Sequence, residues 1–158
     1  MRALRPLLPL IAAALLAACG SAPPSRSVPV PASQLTAEQG SDIAIHAMGL
    51  VGTPYRWGGN TPDSGFDCSG LIGFVYKGHA RPAPPRTVAQ LAGFGQPLDV
   101  QDLRSGDLVI FGANPPSHAG IYVGKGRFVH APSTGGTVRL DRLDSPYWSR
   151  QPTGYRRP

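Results

Sequence analysis

Cysteine is scarce in this chain: 158 residues carry two, Cys19 and Cys68, and no Cys-x-x-Cys pair of the kind that usually marks structural zinc. No apolar run is longer than the twelve residues from Leu7 to Ala18, too short to span a bilayer. No internal repeat is visible, and the length fits one domain, which excludes a multidomain machine. Charged residues are few, at 15%. The net charge of +6 falls to +4 once Arg2 and Arg5 are set aside with the leader described below. Basicity this modest gives no reason to expect a nucleic-acid partner.

Glycine (20) and proline (18) are plentiful, a composition close to that of low-complexity chains. Their distribution points the other way. From about Ile43 onward the glycines punctuate short apolar runs such as Asp107-Leu108-Val109-Ile110-Phe111, the pattern of a small, turn-rich domain with its own core. Only Ser21 to about Gln34 reads as unstructured.

Arg2 and Arg5 followed by the apolar stretch have signal-peptide anatomy, and Leu16-Ala17-Ala18-Cys19-Gly20 looks like a bacterial lipobox. Cleavage ahead of Cys19 and lipidation of its thiol are expected, so residues 1–18 are a signal peptide. Acyl chains would then hold the protein in one leaflet. Residues 19–35 are the lipidated end and a Pro/Ser-rich tether, and residues 36–158 the folded domain. Gly20 after the lipidated residue resembles lipoproteins sent to the outer membrane, facing the periplasm. Cys68 is then an unpaired thiol in an oxidising compartment. Either it is sealed in the core as a small hydrophobe or its reactivity is its purpose.

Thr36 and Gln39 form a capping box, opening a helix in which Ile43, Ala44, Ala47, Met48, Leu50 and Val51 recur at helical spacing until Gly52. Pro54 and the glycines through Pro62 make a loop. A second helix is expected at or beside Cys68, capped by Asp67 or Ser69, with Leu71, Ile72, Val75 and Tyr76 on its buried face; its aromatic and β-branched content leaves a strand as the alternative. Arg81 to Arg86 is a proline-rich connection. The period then changes to two, predicting strands at about 107–111, 119–123, 128–131, 137–140 and 154–156. Helices first and sheet afterwards mean an α+β fold.

A cysteine nucleophile needs a setting that favours thiolate, a base, and a group that orients the base. Cys68 at a helix N-terminus meets the first need, and the free backbone N–H groups there can hold an oxyanion. His46, in the first helix, and His79, in the connection, read as ordinary surface or packing residues. His118 and His130 flank a hairpin. If Gly124-Lys125-Gly126 is a three-residue turn, Val123 faces Arg127, Gly120 faces His130, and His118 lies one diagonal step from His130 on the same face. A sheet presenting His118 to the helix that carries Cys68 brings base to nucleophile, with His130 fixing its tautomer. Two alternatives stay open on these residues alone: histidines decorating a strand end over a buried cysteine, or a zinc site of Cys68, His118 and His130.

Six blocks together, Tyr55-Arg56-Trp57-Gly58-Gly59, Phe66-Asp67-Cys68-Ser69-Gly70, Pro85-Arg86, Ser105 to Phe111, His118 to Gly124 and Phe128-Val129-His130-Ala131, resemble the NlpC/P60 family of cell-wall cysteine peptidases. The resemblance runs from about Asp42 to Leu140. It implies a papain-like, circularly permuted α+β fold with helices packed on an antiparallel sheet. It implies Cys68 as nucleophile, His118 as general base and His130 as orienting residue, with no cofactor or metal. It further implies peptidoglycan stem peptides as substrate, and Tyr55, Asp67 and Ser69 as cleft contacts; packing and capping are their alternative roles. Arg86 matches the family's Pro-Arg element, for which a structural role is expected. Ala119 stands where relatives usually carry Val, a small departure.

The expected protein is therefore a monomeric, membrane-anchored peptidoglycan endopeptidase. Acyl transfer or deamidation at the same Cys-His site is an alternative, and so is a lipoprotein that binds wall fragments without turnover. No appended SH3-like or LysM-like segment is visible, so affinity for the wall is expected from the cleft itself.

Overall fold

The structure, a computed structural model, describes residues 35–133 and 136–158. The leader, Cys19 and nearly all of the tether lie outside the described residues. Among the described residues no helix is long and apolar enough to cross a membrane.

Helix α1 (Ala37–Gly49) starts where the capping box predicts. The Gln39 N–H donates to the Thr36 hydroxyl at 3.1 Å and the Thr36 N–H to the Gln39 side chain at 2.9 Å. Leu35, drawn from sequence as the end of the tether, is buried in the core, so the folded body begins one residue before α1's cap. Ile43, Ala44 and Ala47 are buried, whereas Met48 and Val51 are exposed. The helix stops at Gly49, and its last turn points Met48 into solvent.

Gly40 lies inside α1, where glycine costs about 1 kcal/mol against alanine. It is buried, and a Cβ there would press into the backbone carbonyl of Ser105. Gly40→Ala is therefore expected to destabilise the domain by about 2 kcal/mol despite the better helix propensity, read as a lower urea midpoint with an unchanged m-value.

The short strands β1 (Asn60–Thr61) and β2 (Gly65–Phe66) form a two-stranded ribbon that leads directly into α2 (Cys68–Lys77). Leu71, Ile72, Val75 and Tyr76 are fully buried, as their spacing predicts, which settles this segment as helix. Burying each contributes roughly 1.5–3 kcal/mol. A single turn, α3 (Val88–Leu91), and strand β3 (Gln96–Leu98) follow; neither was visible in the hydrophobic pattern.

Strands β4 (Leu108–Phe111), β5 (His118–Gly124), β6 (Arg127–His130), β7 (Arg139–Arg142) and β8 (Thr153–Arg157) complete a six-stranded, wholly antiparallel sheet of order β3-β8-β4-β5-β6-β7. Both faces are covered at its centre. Leu108, Ile110, Ala119, Ile121 and Val129 pack with α1 and α2, while Val109, Phe111 and Phe128 pack with Trp148. That two-sided burial is why β4 is an uninterrupted apolar run rather than an alternating one.

Strand β7 lies two residues beyond its predicted place at 137–140. Val138 N–H donates to Thr53 and its carbonyl accepts from Gly52, so the loop after α1 takes the backbone groups that a longer β7 would have used.

Candidate active site

Asp67 is the N-cap of α2, its carboxylate accepting from the Gly70 N–H at 2.6 Å, so Cys68 is the first helical residue. The thiol is only part-buried, which excludes a cysteine sealed in the core. Its sulfur lies against the backbone N–H groups of Ser69, Ala119 and Cys68 itself, and contact with Ala119 brings it to the start of β5, where His118 stands.

The hairpin between β5 and β6 has the predicted register by a different turn. Tyr122 pairs with Phe128 and Ile121 with Val129, but Gly124 rather than Val123 pairs with Arg127. Val123 is bulged, and Lys125-Gly126, both at positive φ, make a two-residue turn. Continuing the register sets Gly120 opposite His130. A Cβ on Gly120 would meet Phe128 Cδ2 at 2.7 Å and His130 Cβ at 3.2 Å, so glycine leaves the room in which His130 lies. His118 and His130 meet as predicted, with His118 Nε2 and His130 Nδ1 2.8 Å apart.

One expectation is corrected. Along β5 it is Ala119 and Ile121 that face the helices; His118 belongs to the opposite face, with Phe111 and Trp148. The Trp148 indole stacks on its imidazole at 5.5 Å between ring centroids, tilted by 21°. Cys68 therefore approaches His118 over the end of β5, at the backbone of Ala119, and not across the helix-covered face.

Beyond His130 the structure adds residues that the sequence reading missed. His130 is fully buried, and its Nε2 lies 3.1 Å from Asp141 Oδ2. Trp148 Nε1 donates to the same oxygen at 2.8 Å, as do Arg139 Nε at 3.1 Å and Nη2 at 2.7 Å. Asp141 follows directly on the predicted strand 137–140. Because Phe128 pairs with Asp141 in the observed register, Asp141 lies one diagonal step from His130 on one face. Three of the four ring nitrogens are engaged along this line, His118 Nε2 with His130 Nδ1 and His130 Nε2 with Asp141. Among the described residues no three His, Cys, Asp or Glu side chains are grouped to hold a metal ion.

The electrostatics correct a second expectation. Burial pushes the Cys68 thiol up, and the Asp67 carboxylate adds to this; the surrounding N–H groups oppose them without prevailing. The resting group is a thiol rather than a preformed thiolate. Burial, His130 and Arg139 push His118 down to about 3, against which Asp141 acts weakly. Burial likewise lowers His130, to about 4. Both rings are neutral at pH 7.

As pH falls below 6.5 the unfolded chain protonates both imidazoles while the folded chain holds them neutral toward 4 and 3. Their contribution is complete above that range and is lost progressively on acidification, at up to about 1.4 kcal/mol per pH unit for each histidine. Melting temperatures between pH 7 and 4.5 should fall more steeply in the parent than in His130→Gln; equal slopes would contradict the assignment.

Tyr55, Asp67 and Ser69 surround the thiol on the other side. Burial, Cys68 and Asp67 each raise the Tyr55 hydroxyl, which stays a neutral donor beside the sulfur. Arg86 donates to Asp67 Oδ1 at 2.7 Å and Oδ2 at 3.0 Å, and the Gly58 N–H adds a bond to Oδ2 at 3.0 Å. Burial resists ionisation of Asp67, but these partners outweigh it and hold the carboxyl below its usual range. Ser69 Oγ donates to the Arg86 carbonyl at 2.8 Å and accepts from Arg86 Nη1 at 2.6 Å. Arg86 also donates to the carbonyls of Gly58 and Gly59. Asp67, Ser69 and Arg86 thus form a brace that seats α2's first turn against the preceding loop. His46 and His79, read as packing residues, lie 3.2 Å apart, joining α1 to the turn after α2.

Comparison with known proteins converges on this region. A model of the NlpC/P60 family matches residues 52–157. Murein DD-endopeptidase MepH of Escherichia coli K12 is 40% identical over 115 residues, covering 70% of this chain and 42% of that protein. Gamma-DL-glutamyl hydrolase of Bacillus subtilis is 40% identical over 118 residues, covering 73% of this chain and 28% of that protein. The chain therefore spans less than half the length of these curated relatives. The crystal structure of the NlpC/p60 domain of peptidoglycan hydrolase SagA superposes with a TM-score of 0.63 at 31% identity, covering 73% of this chain and 96% of that one.

Proposed function

The chain belongs to the NlpC/P60 family, and from that premise we propose that it is a peptidoglycan endopeptidase cutting stem-peptide or crosslink amide bonds through a Cys68 thioester. The observation that carries this reading is the meeting of Cys68's sulfur with the Ala119 N–H at the end of β5 where His118, already bonded to His130, stands.

In the proposed mechanism His118 takes the thiol proton as the sulfur attacks the scissile carbonyl carbon. Backbone N–H groups at the start of α2 hold the resulting oxyanion. On collapse the C–N bond breaks and His118 returns the proton to the leaving amine. Water, deprotonated by the same imidazole, then attacks the thioester, releases a carboxylate and restores the thiol. His130 orients His118, and Tyr55, with Asp67 and Ser69 behind it, lines the approach on the α2 side. Because thiol and imidazole are both neutral at rest, proton transfer accompanies attack.

The chain's place in the cell is part of the same proposal. The lipobox at Cys19 supports an outer-membrane lipoprotein facing the periplasm, where its substrate lies. The test is digestion of purified sacculi followed by mass analysis. New peptide termini with the mass of one water added are expected. Products changed by about one mass unit with the chain uncut would indicate deamidation and overturn the reading.

A further inference from the structure

Four donor contacts converge on a single oxygen at the sheet's edge: His130 Nε2, Arg139 Nε and Nη2, and Trp148 Nε1 all reach Asp141 Oδ2. We propose that Asp141 is a positioning residue which sets the tautomers of His130 and His118 in turn and so presents His118 as a base. This rests on the reading of Cys68 and His118 as nucleophile and base.

The chain of protons follows from what each atom can do. Burial resists ionisation of Asp141, but the Trp148 and Arg139 bonds, with His130, outweigh it and keep the carboxyl below its usual range. An ionised carboxylate only accepts. His130 must therefore carry its proton on Nε2, and as a neutral ring it has a lone pair on Nδ1. That lone pair faces His118 Nε2 at 2.8 Å, so the proton in this contact belongs to His118 Nε2. Neutral His118 is left with its lone pair on Nδ1, the ring nitrogen not engaged by His130 and the one free to take the thiol proton. The opposite order would place a proton on His118 Nδ1, and the ring could not act as base.

Convergence on one oxygen also separates the effect of the acceptor from that of the charge. In Asp141→Asn, the strong donors Arg139 and Trp148 select the amide oxygen for the place of Oδ2, turning the NH2 group away from His130. The acceptor survives and the charge is lost. Asp141→Ala removes both.

The test reads the ring nitrogens directly, by 15N NMR of histidine-labelled full-length protein at pH 7 without substrate. Both His118 and His130 should carry their proton on Nε2 in the parent and in Asp141→Asn. In Asp141→Ala, His130 should become a mixture of tautomers, and His118 with it. Turnover of a stem peptide should fall by about five- to ten-fold in Asp141→Asn, the difference between a charge-assisted and a neutral hydrogen bond. In Asp141→Ala kcat should fall by about 100-fold or more. That stays short of the roughly 10⁴-fold cost of a triad histidine held wholly in the wrong tautomer. KM should change little in either variant, and Asp141→Glu should recover part of the loss. A folded Asp141→Ala protein with unchanged tautomers would overturn the proposal. Should that variant not fold, the parent decides alone: a proton on Nδ1 of either ring would overturn it. Because the tautomers are read without turnover, this failure is distinct from failure of the Cys68 reading, which loss or retention of sacculus digestion in Cys68→Ala reports.

Discussion

Cys68→Ala is expected to leave a folded protein that no longer digests sacculi, with kcat lower by about 10⁴-fold or more. The loss is chemical, because Cys68 is the one free thiol among the described residues and its sulfur lies against the Ala119 N–H. The fold should tolerate the change. Cys68 is the first residue of α2, Asp67 still caps Gly70, and the hydrogen bonds of the Arg86 brace run to Asp67, Ser69 and the loop carbonyls rather than to the sulfur. Alanine is also a strong helix former. A melting temperature within a few degrees of the parent, together with retained binding of a stem peptide, would show that only the nucleophile has been removed. Unchanged digestion would end the assignment and favour a wall-binding lipoprotein.

His118→Gln should lower kcat by about 10³-fold, since an amide can still bond to His130 but cannot accept the thiol proton. Alkylation of Cys68 discriminates a base from a packing residue. Burial and Asp67 raise the thiol, so at neutral pH iodoacetamide should react with it more slowly than with an ordinary cysteine. In His118→Gln the rate should fall further. The double variant Cys68→Ala/His118→Gln should be no worse than Cys68→Ala, because the two act as one unit. Additive losses would mean that His118 serves the site by another route.

Much of this site is legible along the chain because its signals are local. The capping box at Thr36, the turn of helix after Asp67, and the apolar positions Leu71, Ile72, Val75 and Tyr76 depend on neighbours within four residues. The meeting of His118 with His130 is nearly local too, a hairpin register set by Gly124 to Gly126. A bulge at Val123 replaced the expected turn, yet the pairing of Tyr122 and Ile121 was preserved, which is why an imperfect turn gave the right neighbours.

Asp141 was hidden for the opposite reason. Its contact with His130 depends on where β7 begins, and that is decided by Thr53 and Gly52, which capture Val138 from more than eighty residues earlier. Trp148 reaches His118 only through the fold of a loop that carries no periodic signal.

By itself, then, the sequence determined the family, the helix that begins at Cys68, and the pair of imidazoles, since each rests on short-range geometry. Tertiary structure alone decided the charge state of the thiol and of His118, because burial is a property of everything packed around a group. It also decided the side from which Cys68 approaches β5 and the carboxylate that closes the chain of hydrogen bonds, because strands far apart in sequence choose their register only when they meet.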